Sequence, residues 1–121
     1  MSKVIEVTDE DFVREVLKSD LPVFTCFTAS WCGSCFPTCL VADGLAAEYS
    51  KRIKFVRVDV GKYSELATKY RITALPTIAL FQNSQPVKKV IGFHEKGSLR
   101  RLLNTILKES EGPGFDGKDK S

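Results

Sequence analysis

All four cysteines of the 121-residue chain lie in one short segment, FTCFTASWCGSCFPTCL, residues 24–40. Two of them form a CxxC motif, Cys32-Gly33-Ser34-Cys35. Cysteines in such a cluster can bind a metal ion or an iron–sulfur cluster, form structural disulfides, or act as a reactive dithiol. The rest of the sequence discriminates among these three uses.

A metal site would need a second pair of ligands at a suitable spacing. The chain has one histidine, His94, which is distant in sequence and is interpreted as a loop residue without a catalytic partner. Cys26 and Cys39 would complete a four-sulfur set, but we expect Cys26 in an apolar strand and Cys39 inside a helix, which is a poor tetrahedral cage. The pattern therefore favours a redox dithiol and predicts no metal ligand. A metal site and structural disulfides stay as alternatives.

Composition limits the classes of protein and partner. Apolar residues make up 43% and charged residues 27% of the chain, as in ordinary globular domains. The net charge of +3 comes from scattered residues, so we expect no nucleic-acid partner. The N-terminal residues lack the apolar run of a signal peptide, and no segment approaches membrane-spanning length. We therefore expect a cytoplasmic monomer with no membrane partner and reduced cysteines.

Hydrophobic periodicity predicts an alternation of strands and helices. This order predicts an α/β fold: a central mixed β-sheet flanked by helices on both faces, with the last strand antiparallel. We expect a domain over residues 1–108 and a flexible tail over residues 109–121, which is rich in Gly, Pro and charge. The predicted elements are strand 3–7, helix 8–20, strand 21–27, helix 40–51, strand 53–60, helix 63–72, a hairpin over 77–93 and helix 95–109.

The CxxC motif lies where a buried strand passes into a helix. Two intervening residues allow both cysteines to share one helical turn, so their sulfurs can bridge. At the N-terminus of a helix the unpaired N–H groups and the helix dipole stabilise an anion, which favours a thiolate on Cys32. Cys35, one turn further in, is expected to be more buried and to act as the resolving thiol.

Several segments together resemble the thioredoxin family over residues 1 to about 108. They are ASWCGSC after an apolar strand, VDV, YRITALPTIALF and GFHEKGSL. The resemblance implies a thioredoxin fold, a redox-active Cys32–Cys35 disulfide and a cis peptide bond before Pro76. It also implies that a groove for a substrate strand is lined by Trp31, Ala74, Leu75, Gly92 and Phe93, with the backbone of Leu75 pairing to the substrate.

The resemblance further implies a protein-disulfide reductase that cycles between dithiol and disulfide. Its partners would be proteins with disulfides and a separate thioredoxin reductase that supplies electrons from NADPH, and no cofactor would be bound. Two alternatives are a disulfide isomerase or oxidase, and a non-catalytic binding module with the same fold. An assay of protein-disulfide reduction in the presence of dithiothreitol distinguishes a catalytic protein from a non-catalytic binding module.

The sequence departs from the family pattern around the dithiol. Ser34 stands where proline is usual, Phe36 makes the rim more apolar, and Cys26 occupies the place of a buried acid next to the basic Arg57. Because burial disfavours a charged thiolate, Cys26 is expected to stay protonated and to be a poor base. The sequence does not identify another group that receives the proton of the resolving thiol. Cys26 and Cys39 are interpreted as packing residues, with a secondary redox role as the alternative.

Overall fold

The computed structural model of the chain describes residues 4–111, with side chains through residue 109. Over these residues the strands and helices follow the predicted order, and the α/β fold class with a central mixed sheet is confirmed. The elements are β1 (Ile5–Glu6), α1 (Asp9–Phe12, continued by a π-helical turn at Val13–Leu17), β2 (Val23–Thr28), α2 (Cys35–Glu48), β3 (Lys54–Asp59), α3 (Ser64–Lys69), β4 (Thr77–Gln82), β5 (Gln85–Ile91) and α4 (Lys96–Glu111).

The sheet has five strands in the order β1-β3-β2-β4-β5. β1 and β2 both run parallel to β3, whereas β4 runs antiparallel to β2 and to β5. The strand that runs in the opposite direction to the other four is therefore β4. The sequence suggested the last strand of the chain instead. The short turn between β4 and β5 forces those two strands to be antiparallel, so β5 returns to the common direction.

Strand β2 is the centre of the sheet and is buried along its whole length. Its alternate side chains enter two different cores, because successive side chains of a strand point to opposite faces. Phe24 and Cys26 pack in the core that contains residues of α2 and α4. Val23 and Phe27 pack in the core that contains Phe12 of α1 and residues of α3. Cys26 therefore faces helix α2, which follows the CxxC motif.

Local sequence explains where several elements begin and end. Thr8 caps α1 by accepting a hydrogen bond from the amide nitrogen of Asp11 at 3.2 Å, as predicted. The β4–β5 turn has positive φ at both Asn83 (54°) and Ser84 (69°), a geometry whose twist matches that of a hairpin. None of the helices in the described part of the chain is both long and apolar enough to cross a membrane.

The predicted domain boundary after residue 108 falls inside α4, which continues to Glu111. The rest of the predicted flexible tail lies outside the described residues.

A substitution at Leu103 of α4 would test how much the core between the sheet and its helices contributes to the stability of the fold. Its side chain is fully buried among residues of β2, β4 and α2. Replacing Leu103 with alanine is expected to lower the free energy of unfolding by about 2–5 kcal/mol, because the change removes buried methyl groups and leaves a cavity. Chemical denaturation measures the loss. The matched change Leu40→Ala, at a leucine that is 57% exposed, should stay within about 0.5 kcal/mol of the wild type.

Candidate active site

The CxxC motif occupies the turn between β2 and α2 at the carboxyl end of β2. The amide of Cys32 donates to the carbonyl of Ala29 at 3.1 Å, and the amide of Cys35 donates to the carbonyl of Cys32 at 3.3 Å. These bonds wind the chain into the first turn of α2, which begins at Cys35, five residues before the helix that periodicity indicated. The two cysteines form a disulfide, with Cα atoms 5.4 Å apart.

The two sulfurs of this disulfide differ in access to solvent. Cys35 is only 4% exposed, because it lies on the face of α2 that packs against the sheet. Cys32 is partly exposed at the edge of the turn. A disulfide or thiol outside the protein can therefore reach Cys32 and not Cys35.

An open cleft of about 290 Å³ lies beside the disulfide. Both cysteines of the motif line it, together with residues from the ends of β1, β2 and β3 and from the first turns of α2. Its other lining residues are Glu6, Thr28, Ala29, Ser30, Phe36, Cys39, Arg57 and Asp59. The cleft therefore connects the dithiol with a group of charged residues and a further cysteine.

A row of three side chains crosses the sheet below this cleft. Glu6 of β1 pairs with Arg57 of β3, and Arg57 pairs with Cys26 of β2. Residues paired in register on parallel strands share one face of the sheet, and Cys26 belongs to the face covered by α2. The Arg57 guanidinium also forms an ion pair with the Glu6 carboxylate at 3.4 Å. The row places a buried thiol and a positive charge under the first turns of α2.

Two residues of this row, Cys26 and Arg57, shift the pKa of Cys39 in α2. The neighbouring Cys26 thiol and the guanidinium of Arg57 lower the pKa of Cys39 to about 6, although burial and the charge of Asp43 act against the shift. The neighbouring Cys39 and burial raise the pKa of Cys26. Of the two neighbouring thiols, Cys39 is therefore the one that ionises more easily, and Cys26 stays neutral.

The segment around Pro76 and the residue Gly92 lie at the same edge of the sheet as the CxxC turn. Phe27, near the end of β2, pairs with Thr77 at the start of β4, and Thr77 pairs with Ile91 at the end of β5. The Leu75–Pro76 peptide bond is cis, the conformation that the family resemblance implies. The amide of Gly92 donates to the carbonyl of Pro76 at 2.7 Å, and its φ of +85° is one that glycine adopts without strain.

Three large aromatic side chains, in the CxxC turn, at the start of α2 and after β5, are exposed to solvent. Trp31 is 73% exposed, Phe36 is 69% exposed and Phe93 is 47% exposed. The indole nitrogen of Trp31 lies beside Gly61, 3.5 Å from the position that a side chain there would take. The rings of Trp31 and Phe36 therefore leave apolar surface exposed on both sides of the CxxC motif in the sequence.

The predicted site residues thus fall into two groups. Cys32 and Cys35 share the cleft with Arg57, while Cys26 lies beneath it. The residues predicted to bind substrate do not line this cleft: Trp31, Ala74, Leu75, Gly92 and Phe93. Ala74 accepts a hydrogen bond from the Thr77 hydroxyl at 2.6 Å, which holds the turn before β4. His94 contacts only the carbonyl of Ile91, at 3.1 Å, among the side-chain hydrogen bonds of the described residues.

Sequence reasoning missed the acidic residues of the cleft and the proximity of Cys39 to Cys26 and Arg57. Glu6 and Asp59 lie at the carboxyl ends of the parallel strands β1 and β3, where sites of open α/β sheets form. The carboxylate of Asp59 accepts a hydrogen bond from the Gly61 amide at 2.8 Å. Their position near the ends of the predicted strands 3–7 and 53–60 was a usable signal. Across the described residues, no group of three or more His, Cys, Asp or Glu side chains is arranged to hold a metal ion.

Ser34 leads to a prediction about the stability of the disulfide. Its hydroxyl oxygen lies 3.6 Å from the Cys32 sulfur, and its φ of −75° is compatible with proline. Ser34→Pro should make the disulfide harder to reduce by about 30 mV, the shift that about 1.4 kcal/mol produces in a two-electron couple. The ring restricts the reduced loop, and loss of the hydroxyl removes a hydrogen-bond donor to the Cys32 thiolate.

Equilibration with glutathione buffers measures this change in reduction potential. The control Ser34→Ala removes the hydroxyl without adding the ring, so it should give only part of the shift. A Ser34→Pro variant that is easier to reduce than the wild type would contradict both physical reasons.

Comparison with known proteins places this site in a family. The thioredoxin family model matches residues 3–105. Thioredoxin 1 of Nostoc sp. is 39% identical over 107 residues, covering 88% of this chain and 100% of that protein. Thioredoxin of Porphyra purpurea is 39% identical over 104 residues, covering 86% of this chain and 97% of that protein. The bifunctional thioredoxin reductase/thioredoxin of Mycobacterium leprae is 37% identical over 103 residues, which cover 85% of this chain and only 22% of that protein.

Proposed function

The chain belongs to the thioredoxin family, and from this premise we propose that Cys32 attacks substrate disulfides and Cys35 resolves the resulting mixed disulfide. The protein is a thiol-disulfide oxidoreductase that reduces protein disulfides. The observation that carries the assignment of roles is the disulfide at the β2–α2 junction, in which Cys32 is accessible and Cys35 is buried.

The proposed reaction has two exchange steps. The Cys32 thiolate attacks one sulfur of the substrate disulfide, a bond forms between Cys32 and that sulfur, and the other substrate sulfur leaves as a thiolate. Cys35, as a thiolate, then attacks the Cys32 sulfur and displaces the second substrate sulfur. The substrate gains two electrons and two protons, and the protein is left with the Cys32–Cys35 disulfide.

We propose that substrates dock as an extended strand beside Trp31 and the turn before β4. The backbone of Leu75 would pair with the substrate, and Ala74, Gly92 and Phe93 would complete the groove. Support comes from the strand registers, which bring the ends of β2, β4 and β5 to one edge. The exposed rings of Trp31 and Phe93 supply apolar contact area there. Pro76 and Gly33 would shape the backbone on either side of Cys32.

A separate reductase would restore the dithiol. The name of the Mycobacterium leprae relative joins a thioredoxin reductase and a thioredoxin in one protein, which supports a reductase of that kind as the electron donor. In this proposal the reductase draws its electrons from NADPH, and the chain itself binds no cofactor or metal. We further propose that it acts as a cytoplasmic monomer in electron transport and cell redox homeostasis, without nucleic-acid or membrane partners.

Reduction of insulin tests this function. With dithiothreitol as electron donor, the protein should accelerate insulin precipitation well above the rate of dithiothreitol alone. With NADPH and a thioredoxin reductase in place of dithiothreitol, NADPH oxidation should depend on both proteins. A binding module would leave the dithiothreitol rate unchanged, and an oxidase would instead accelerate disulfide formation in a reduced substrate.

A further inference from the structure

We propose that Cys39 accepts the proton that the Cys35 thiol loses when it resolves the mixed disulfide, and that Arg57 and Cys26 position Cys39 for this transfer. The inference rests on the proposed function, because it assigns a residue to its second step. It gives a defined use to a thiol that sequence analysis interpreted as packing.

The resolving step needs a proton acceptor close to a buried sulfur. Only the thiolate is nucleophilic, and Cys35 is 4% exposed, so bulk water has little access to its proton. The carboxylates near the cleft already have partners: Glu6 pairs with Arg57, and Asp59 accepts from the Gly61 amide. Neither lies in the helix that carries Cys35.

The position of Cys39 suits the task. It follows Cys35 by one turn of α2, and residues four apart lie next to each other on a helix surface. Both sulfur-bearing side chains line the same cleft, which opens to solvent. Because Cys39 is partly exposed, a proton that it receives from Cys35 can pass on to water.

The surroundings of Cys39 favour its charged form. The guanidinium of Arg57, from β3, lines the same cleft as Cys39, and the Cys26 thiol of β2 and this guanidinium both favour the charged form of Cys39. The pKa of Cys39 is lowered to about 6 by these two groups. Two acids act in the opposite sense: Asp43 on its own helix, and Glu6 of β1, which partly neutralises Arg57. Asp59 of β3 lines the same cleft.

The proposed step conserves protons and electrons. The Cys35 thiol transfers its proton to the Cys39 thiolate, which becomes a thiol. The Cys35 thiolate attacks the Cys32 sulfur, the Cys32–Cys35 bond forms, and the bond between Cys32 and the substrate breaks with its electron pair on the substrate sulfur. Cys39 then releases its proton to water, so it is neither oxidised nor reduced.

The test measures the resolving step as a function of pH. Reduced protein is mixed with glutathione disulfide in a quenched-flow instrument, acid stops the exchange, and peptide mass analysis follows the Cys32–glutathione mixed disulfide and its conversion to the Cys32–Cys35 disulfide. In the wild type we expect the resolution rate to rise with a midpoint near pH 6 and then to level off. In Cys39→Ser the plateau should disappear, the rate should keep rising through pH 9, and resolution at pH 7 should be about tenfold slower or more.

Two charge variants examine the same assignment without removing Cys39. Arg57→Gln removes the positive charge and should move the midpoint up by about one pH unit. Asp43→Asn removes a negative charge and should move the midpoint down by a few tenths of a unit. A purely structural role of Cys39 predicts no such opposite shifts. The control Leu40→Ala changes the next residue of α2 on its exposed side and should keep the wild-type profile.

The outcomes separate this inference from the proposed function. If the wild type forms no mixed disulfide at Cys32, the proposed function fails. If the wild type resolves normally and Cys39→Ser gives the same pH profile, only the role of Cys39 is overturned. If Cys39→Ser does not fold, the charge variants decide, and an unchanged midpoint in both of them refutes the proposal.

Discussion

Replacing Cys32 with serine is expected to reduce the protein-disulfide reductase activity by about a thousandfold or more. A serine hydroxyl is not ionised near neutral pH and cannot form the mixed disulfide, so the first exchange step is lost. Insulin reduction with dithiothreitol measures the effect after subtraction of the rate without protein. The remote variant Val13→Ala, at an exposed position following α1, should retain the wild-type rate.

The Cys32→Ser variant cannot form the Cys32–Cys35 disulfide, which itself affects the stability of the protein. Its thermal stability should therefore be compared with that of the reduced wild type. Equal thermal unfolding of these two forms would show that the lost activity reflects the missing sulfur. Residual activity well above the rate without protein would mean that another thiol attacks the substrate, and Cys39 would be the first to examine because it is partly exposed.

Replacing Cys35 with serine is expected to trap the protein on its substrate. Cys32 would still attack, but the buried position behind it would hold no thiol to displace the second substrate sulfur. We expect a covalent one-to-one complex with a disulfide-containing protein, which accumulates within one turnover and is released by dithiothreitol. Electrophoresis without reductant and intact mass both detect it.

The double variant with serine at positions 32 and 35 is the control for this experiment. It should form no complex if Cys32 is the attacking thiol, because only Cys39 and the buried Cys26 are left in the active-site segment and neither is assigned to attack. A complex in the double variant would reveal capture by Cys39. Undiminished turnover by Cys35→Ser would refute the resolving role of Cys35.

Much of the fold could be predicted from the sequence because its signals are local. The β-rich apolar run before the CxxC motif predicted β2, and the N-cap preference of Thr8 predicted the start of α1. The motif itself predicted a strand-to-helix junction, from which the different burial of Cys32 and Cys35 follows. The roles of these cysteines stay predictions until the variants are measured.

Contacts that depend on the pairing of strands could not be predicted from local sequence patterns. The sequence places Cys26 and Arg57 in different strands, and only the parallel register of β2 and β3 brings them side by side. The start of α2 at Cys35 then sets Cys39 above that pair. Periodicity located the helix from residue 40 onward, because Pro37 and the polar residues near it interrupt the apolar pattern of its first turns. The sequence did place Cys39 inside a helix, but its proximity to Cys26 and Arg57 depends on the strand register and could not be predicted.

The burial of Cys26 in the central strand gives the chain an internal probe of its own unfolding. Cys26 is 1% exposed and lies between neighbouring strands and α2, so an alkylating reagent can reach its sulfur only when the sheet opens. In a variant with serine at the other three cysteine positions, the rate of Cys26 alkylation in buffer without denaturant would report the population of the open state. Stability could then be followed under the conditions in which the protein reduces its substrates, and a bound partner that protects the sheet would slow the labelling.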